Sequence, residues 1–284
     1  MKQGPTTVLI TGSSTGIGRA SAERLAARGH TVYATARRVE SIEDLRARGC
    51  RTLALDVTDE GSMRAAVAAV EEAEGAVGAL VNNAGYSQSG AVESVGIDEV
   101  RKQFETNVFG LIRMCQLVLP AMRAKRSGRI VNVSSMGGRF TFPGGGIYHA
   151  TKHAVEAVSD ALRFEVSGFG VEVVVIQPGL IKTSFAEAAV GSIHGGTDEH
   201  GPYASFNSAV AASTAGAYKG PLGMLGGGPG RVARSIEKAI TAERPRTRYR
   251  VTPSARILLT QRRLMPDRAW DAMAASTFPR PGAG

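Results

Sequence analysis

The chain has little cysteine: Cys50 and Cys115 are the only two in 284 residues. Two cysteines give neither a disulfide framework nor a metal-ligand spacing. The fold must therefore rest on its core. A globule of this length buries roughly 75% of the surface its unfolded chain exposes and needs no staples. Cys115 sits in an apolar helical stretch and is expected to be a small core residue. Long hydrophobic runs are also missing, and none approaches the length of a membrane span. Met1-Lys2-Gln3-Gly4-Pro5 passes straight into the strand-like Thr6-Thr7-Val8-Leu9-Ile10, which is too short and wrongly flanked for a signal peptide. Together these absences predict a reduced, cytoplasmic protein. No internal repeat is present.

Acidic charge is scarce towards the C-terminus. Residues 231–284 hold 12 Lys/Arg against 4 Asp/Glu, a net +8 of the chain's +9. A basic segment can attract nucleic acid, acidic lipid or an acidic carrier protein. This one has few aromatics and no nucleic-acid motif. The expectation is a solvated surface or an arginine-rich subunit contact, with no nucleic-acid partner.

What is present is an alternation of short apolar runs and amphipathic runs. Strands are predicted at Val8–Thr11, Thr31–Thr35, Arg51–Asp56, Ala79–Asn82, Arg129–Ser134 and Glu172–Gln177. Each is rich in Val, Ile or Leu, as strands covered on both faces should be. Helices are predicted at Ile17–Arg28, Ser41–Arg48, Glu60–Glu74, Ile97–Lys125 and Tyr148–Gly168. The fold class this implies is α/β: a doubly wound, mainly parallel, Rossmann-type sheet with helices on both faces. A ligand then lies beyond the carboxyl ends of the strands. One domain is expected over residues 1–284, with a cofactor half at about 6–135 and a catalytic and substrate half at about 136–253. The Gly-, Ala- and Ser-rich segment 184–230 is expected to form a lid. A helix (Gly230–Ala242), a strand (Arg248–Thr252) and a helical extension at about 254–284 complete the chain.

The first strand runs into Thr11-Gly12-Ser13-Ser14-Thr15-Gly16-Ile17-Gly18 and then a helix. Glycines there permit a tight turn whose amides, with the helix N-terminus, can hold a pyrophosphate. The end of the second strand lacks an acid. Asp or Glu at that point would grip a ribose 2′-hydroxyl and repel a 2′-phosphate. Instead it reads Ala36-Arg37-Arg38, and a guanidinium fork suits phosphate. NADP(H) is therefore preferred and NAD(H) is the alternative; Glu40, close by, pulls the other way. Asp56-Val57 closes the third strand, where Asp56 either accepts from an adenine amino group or caps the following helix.

Tyr148 and Lys152 are four residues apart and share one face of a helix. Two unit charges about 4 Å apart at an effective dielectric of about 20 interact by roughly 4 kcal/mol. That equals about 3 pK units, enough to bring a phenol towards neutrality. Ser134 and Ser135 stand a short way upstream.

Five segments in order make the chain resemble the short-chain dehydrogenase/reductase family in its single-domain form: Thr11–Gly18, Asn82-Asn83-Ala84-Gly85, Asn107, Ser135 with Tyr148-x-x-x-Lys152, and Pro178-Gly179-x-Ile181-x-Thr183. Each is weak or moderate alone, but the ordered set, spanning residues 6 to 183, is highly specific. The resemblance implies a reversible, NADPH-dependent reduction of a ketone or aldehyde. Tyr148 would pass the proton, and Lys152 would lower its pKa and hold the nicotinamide ribose. Ser135 would bind the substrate oxygen, with Ser134 structural. Asn107 would kink its helix and relay protons through water. Asn83, Ala84 and Gly85 would line the adenosine ribose. Pro178, Gly179, Ile181 and Thr183 would border the nicotinamide, the last two holding its carboxamide. The absence of a basic residue at Thr15 departs from some NADP-preferring members and leaves the preference to Arg37 and Arg38. Arg248-Tyr249 and Leu264–Arg268 are loosely similar to the hydroxysteroid and retinol dehydrogenase-like branch. A homodimer or homotetramer is implied through the segments Ile97–Lys125 and Tyr148–Gly168.

Two other functional classes are weighed against this reading: a carrier-protein-dependent 3-oxoacyl or polyketide reductase, and a non-catalytic NADP-binding sensor. His194, Asp198, Glu199 and His200 crowd one segment, but a solvated loop is expected there rather than a metal. His149 is expected to point away from Tyr148, and His153 to pack or cap locally. Phe140, Phe142, Phe185, Tyr203 and Phe206 either line a pocket for a bulky apolar substrate or pack the lid onto the body.

Overall fold

A computed structural model describes residues 6–194, 201–217 and 221–282. Among the described residues, seven strands form one parallel sheet: β1 (Thr7–Ile10), β2 (Thr31–Ala36), β3 (Cys50–Ala54), β4 (Ala79–Asn82), β5 (Gly128–Val133), β6 (Val171–Gln177) and β7 (Arg248–Arg250), in the order β3-β2-β1-β4-β5-β6-β7. Strand order reverses between β1 and β4, which opens a crevice at their carboxyl ends.

The helices are α1 (Gly16–Ala26), α2 (Glu60–Glu74), α3 (Ile97–Phe104), α4 (Gly110–Ala124), α5 (Gly146–Ser167), α6 (Phe185–His194), α7 (Ala204–Ala217), α8 (Pro221–Met224), α9 (Pro229–Thr241), α10 (Pro253–Leu264) and α11 (Asp267–Ala275). Side chains alternate along each strand and supply two cores. Val8 and Ile10 face α1 and α9 through Ala22, Leu25, Val232 and Ile236. Leu9 faces α2 and α4 through Met63, Val67, Met114 and Val118. Cys115 lies in this second core, and burial pushes its thiol up to about 12.

Two predicted helices take another form. The segment expected as a helix at Ser41–Arg48 is a 3₁₀ helix, Val39–Arg48. Its buried residues, Ile42 and Leu45, are three apart, the spacing that eclipses in a 3₁₀ turn. The single helix expected at Ile97–Lys125 is interrupted by a π turn, Glu105–Phe109. One extra residue there re-aims the side chains, and buried Asn107 lies inside it. Within the expected lid, α6 and α7 pack on the loop after β4. The Ala91 amide donates to Asn207 Oδ1 at 2.9 Å, and Gln88 Nε2 donates to the Ser192 carbonyl at 3.1 Å. Asp198, Glu199 and His200 lie outside the described residues.

Candidate active site

The carboxyl ends of the central strands open onto a cavity of about 1170 Å³. One part is built by the turn after β1. Gly12 adopts φ +72°, and a side chain at Gly18 would sit 2.2 Å from the Gly12 carbonyl oxygen. The helix can close on the turn only because both are glycine. Asn83 fastens this turn to β4: its Nδ2 donates to the Thr11 and Gly12 carbonyls at 3.0 and 2.8 Å. Thr11 Oγ1 in turn accepts from the Asn83 and Ala84 amides, both at 3.0 Å. Thr11 was not singled out from sequence, although it opens the glycine segment.

Gly12, Ser14, Thr15, Gly16 and Ile17 line the cavity, as do Arg37, Asp56, Val57, Asn83, Ala84 and Gly85. Three residues assigned to cofactor binding do not. Ser13 is buried between β1 and β2, where its amide donates to the Thr35 carbonyl at 2.7 Å. Gly18 packs under the turn. Arg38 precedes the 3₁₀ helix, and its carbonyl accepts from Ser41 Oγ at 2.6 Å. Arg37 is exposed and makes no ion pair among the described residues. The helix cap after β3 is Asp59, which accepts from the Ser62 amide, and not Asp56. Asp56 spends Oδ1 on the Thr58 amide and hydroxyl, at 2.9 and 2.8 Å.

The other part holds Ser135, Tyr148 and Lys152. Ser135 Oγ accepts from the Gly137 amide at 3.1 Å, which leaves its own proton to donate. Lys152 Nζ lies 5.8 Å from the Tyr148 ring centroid and donates to the Val133 carbonyl at 3.0 Å. Burial pulls Lys152 down to about 8, against an opposing pull from Glu156. Asn107 does not line the cavity. Its Nδ2 donates to the Tyr86 carbonyl at 2.9 Å and to Thr151 Oγ1 at 3.1 Å, and its Oδ1 accepts from the Tyr86 amide at 3.0 Å. It braces the loop after β4 against α5, with every polar atom of its side chain engaged.

Pro178, Gly179, Ile181 and Thr183 complete the wall beyond β6. This stretch is pinned to Gly227, whose amide donates to the Leu180 carbonyl at 2.9 Å and whose carbonyl accepts from the Lys182 amide at 2.9 Å. A glycine turn at a helix N-terminus, an open guanidinium and a long cavity fit a dinucleotide phosphate and its ribose.

The aromatics divide between the two expected jobs. Phe140, Phe142 and Phe185 line the cavity. Phe206 and Tyr203 instead pack α7 on the body, with Tyr203 OH donating to Glu93 at 2.6 Å. His149 departs from expectation. It lines the cavity with its ring centroid 5.7 Å from that of Tyr148, and its Nδ1 accepts from the Phe142 amide at 3.2 Å. Burial, with His153 adding to it, lowers its pKa to about 4. His153 stays local, its Nδ1 2.9 Å from the His149 carbonyl.

The family model described as short chain dehydrogenase matches residues 6–191. The chain belongs to the short-chain dehydrogenase/reductase family. Within it, the chain is 42% identical over 184 residues to a 3-ketodihydrosphingosine reductase of Bacteroides thetaiotaomicron, an alignment covering 64% of this chain and 66% of that enzyme. It is 35% identical to an NADPH-dependent 3-dehydrocapnine reductase of Ornithobacterium rhinotracheale over 93% of this chain and 94% of the relative. A short-chain dehydrogenase/reductase of Burkholderia phymatum, solved with NAD, superposes with a TM-score of 0.78 at 26% identity, covering 99% of this chain and 98% of that one. This short-chain dehydrogenase/reductase is thus an oxidoreductase acting on carbonyl or alcohol groups. No helix among the described residues is long and apolar enough to cross a membrane.

Proposed function

We propose that the enzyme reduces the ketone or aldehyde of a bulky, apolar compound with NADPH, reversibly. One observation carries this: the cavity that holds the Ser135 hydroxyl, Tyr148 and Lys152 is walled by Phe140, Phe142 and Phe185 at one part and reaches Arg37 at another. The nicotinamide supplies the hydride when bound. Ser135, whose oxygen already accepts from Gly137, directs its proton at the substrate oxygen. Tyr148 donates the proton that the oxygen takes up as it becomes an alkoxide. The Lys152 ammonium, its Nζ 5.8 Å from the centre of the phenol ring, attracts the negative charge that develops as Tyr148 gives up its proton. Arg37 pairs with a 2′-phosphate, and Asp56 keeps one carboxylate oxygen for the adenine.

The relatives support the reading, since two are named as reductases of a 3-keto or 3-dehydro compound and one of these as NADPH-dependent. Free, buried Cys50 and Cys115 suit the reducing cytoplasm. The test is NADPH oxidation across a panel of aldehydes and ketones of increasing apolar bulk, with NADH in parallel. Tyr148→Phe is expected to lose at least about a thousandfold in kcat/KM while binding NADPH as tightly as the parent. Undiminished turnover by that variant would sink the mechanism. Arg37→Ala is expected to narrow the NADPH preference by about tenfold or more, and an unchanged preference rejects the Arg37 assignment.

A further inference from the structure

Helix α10 packs, with Trp270 of α11, behind the aromatic wall of the cavity. Its inner face carries Leu258 and Leu259, which pack with Phe140, Phe142 and Trp270. Phe140 and Phe142 also line the cavity. The outer face is different. Ile257 is 49% exposed and Leu264 is 78% exposed. They are seven residues apart, hence two turns along one face. Arg256 and Arg263 repeat the same step beside them and are exposed. The helix, Pro-Ser-Ala-Arg-Ile-Leu-Leu-Thr-Gln-Arg-Arg-Leu, contains no acid. Met224, 86% exposed at the end of α8, adjoins the start of α10, because the Ser254 amide donates to the Leu225 carbonyl at 3.0 Å. Arg250, Arg256, Arg263 and Arg268 form no ion pair among the described residues.

We propose that this face docks the enzyme on an anionic lipid surface, with Ile257, Leu264 and Met224 entering the acyl boundary and the arginines at the phosphate level. An arginine-flanked apolar row on a helix of otherwise modest hydrophobicity is the pattern of a helix lying in the plane of the interface. Charge complementarity selects the occupant. Of the three arginines on α10 only Arg262 is ion-paired, to Asp267, so the helix keeps a net positive charge. A two-fold contact with a second copy would set these unpaired arginines against their own kind. A bilayer bearing anionic headgroups instead attracts each of them. This placement would set a membrane surface one helix away from the cavity, and it does not depend on which carbonyl compound the cavity takes.

The test is co-sedimentation of the full chain with phosphatidylcholine vesicles, with and without phosphatidylglycerol, at low and high salt. Binding is expected only to the anionic vesicles and is expected to weaken with salt. The pairs Ile257→Ser/Leu264→Ser and Arg256→Gln/Arg263→Gln should each lower partitioning by roughly tenfold or more. Both should keep the parent's turnover of a water-soluble ketone and its melting temperature, which separates docking from folding and catalysis. Failure of the parent to bind anionic vesicles overturns the proposal, as does unchanged binding by both pairs. Binding instead to an acidic acyl carrier protein would assign the face to a protein partner. Loss of self-association by the same pairs would assign it to a second copy.

Discussion

Lys152 pays for its position: it is 6% exposed and its pKa falls to about 8. Below about pH 8 the side chain is charged in both the folded and the unfolded chain, and the folded state bears the full cost of a buried ammonium. Between about 8 and the ordinary lysine value of 10.5 the native group is neutral while the unfolded one still holds its proton. Stability therefore rises with pH across that window. The shift corresponds to roughly 3 kcal/mol, against which stands the hydrogen bond to Val133. Lys152→Met is accordingly expected to be more stable than the parent at pH 7, by about 2 kcal/mol, and to lose that advantage as pH passes from 8 to 10.5. Urea unfolding at a series of pH values measures it, and a less stable Lys152→Met at pH 7 would reject the account. The same titration should draw a falling limb on kcat/KM for reduction above about pH 8, read in the free enzyme. His149 shows what a single residue hides in sequence. One step along a helix from Tyr148, it should face about 100° away. Yet it sits in the first turn of α5, where the loop through Phe142 closes over it and brings it to the cavity.

At the scale of elements, α5 is the organising helix. Tyr148, Lys152, Glu156 and Asp160 follow at four-residue steps and form one stripe. Glu156 is 2% exposed and would be a costly buried charge alone. Arg248 from β7 holds it at 2.9 Å and reaches Asp160 at 2.6 Å, tying the sheet edge to the helix that carries the proposed acid. Arg248→Ala should cost about 3 kcal/mol, because it leaves the buried Glu156 carboxylate with only the neutral Gln177 amide at 2.9 Å and the more distant Arg139 at 3.8 Å. Arg248→Met combined with Glu156→Gln should recover most of that loss, since no unpaired charge remains. Equilibrium denaturation of both variants decides it, and a double variant as weak as the single one would refute the pairing. None of this clamp was legible in the sequence, because its partners are 92 and 88 residues apart. The strands were legible, since a sheet covered on both faces must spell runs such as Val171–Gln177 in apolar letters. The placing of Tyr148 and Lys152 on one helix face was legible too, and the cavity holds both with Ser135, whereas Asn107 lies outside it. What local pattern could not show was the choice between helix types. Ile42 and Leu45 satisfy a 3₁₀ and an α spacing alike, and the π turn around Asn107 is set by its bonds to Tyr86 and Thr151 across the fold.

For the whole molecule, α3, the π turn and α5 expose large apolar side chains beside ion-paired charges. Phe164 is 86% exposed, Phe109 is 52% exposed, and Ile97 is 61% exposed. Their segments are neighbours, since α5 packs against both α3 and the π turn. Large exposed aromatics on adjoining helices mark a surface that gains by being covered. The simplest cover is a second copy related by a two-fold axis, which brings the same patch to both sides. This surface lacks the unpaired arginines that oppose such a contact on α10. Arg123 and Arg126 are nearby exceptions, and both are directed at their own chain: Arg123 stacks over Phe169 at 5.5 Å, and Arg126 donates to the Gly168 carbonyl at 3.2 Å. We expect a homodimer held through α3, the π turn and α5, with Phe164→Glu shifting it to monomer in sedimentation velocity at micromolar concentration. Placing a carboxylate from each copy into the centre of the contact leaves two facing, desolvated charges, so dissociation should rise by about a hundredfold or more. Because α5 also carries Tyr148 and Lys152, the monomer should melt at a lower temperature and turn over more slowly, with both deficits shrinking if the dimer is restored by Phe164→Leu. A parent that sediments as a monomer, or a Phe164→Glu variant that remains dimeric, would move the contact elsewhere.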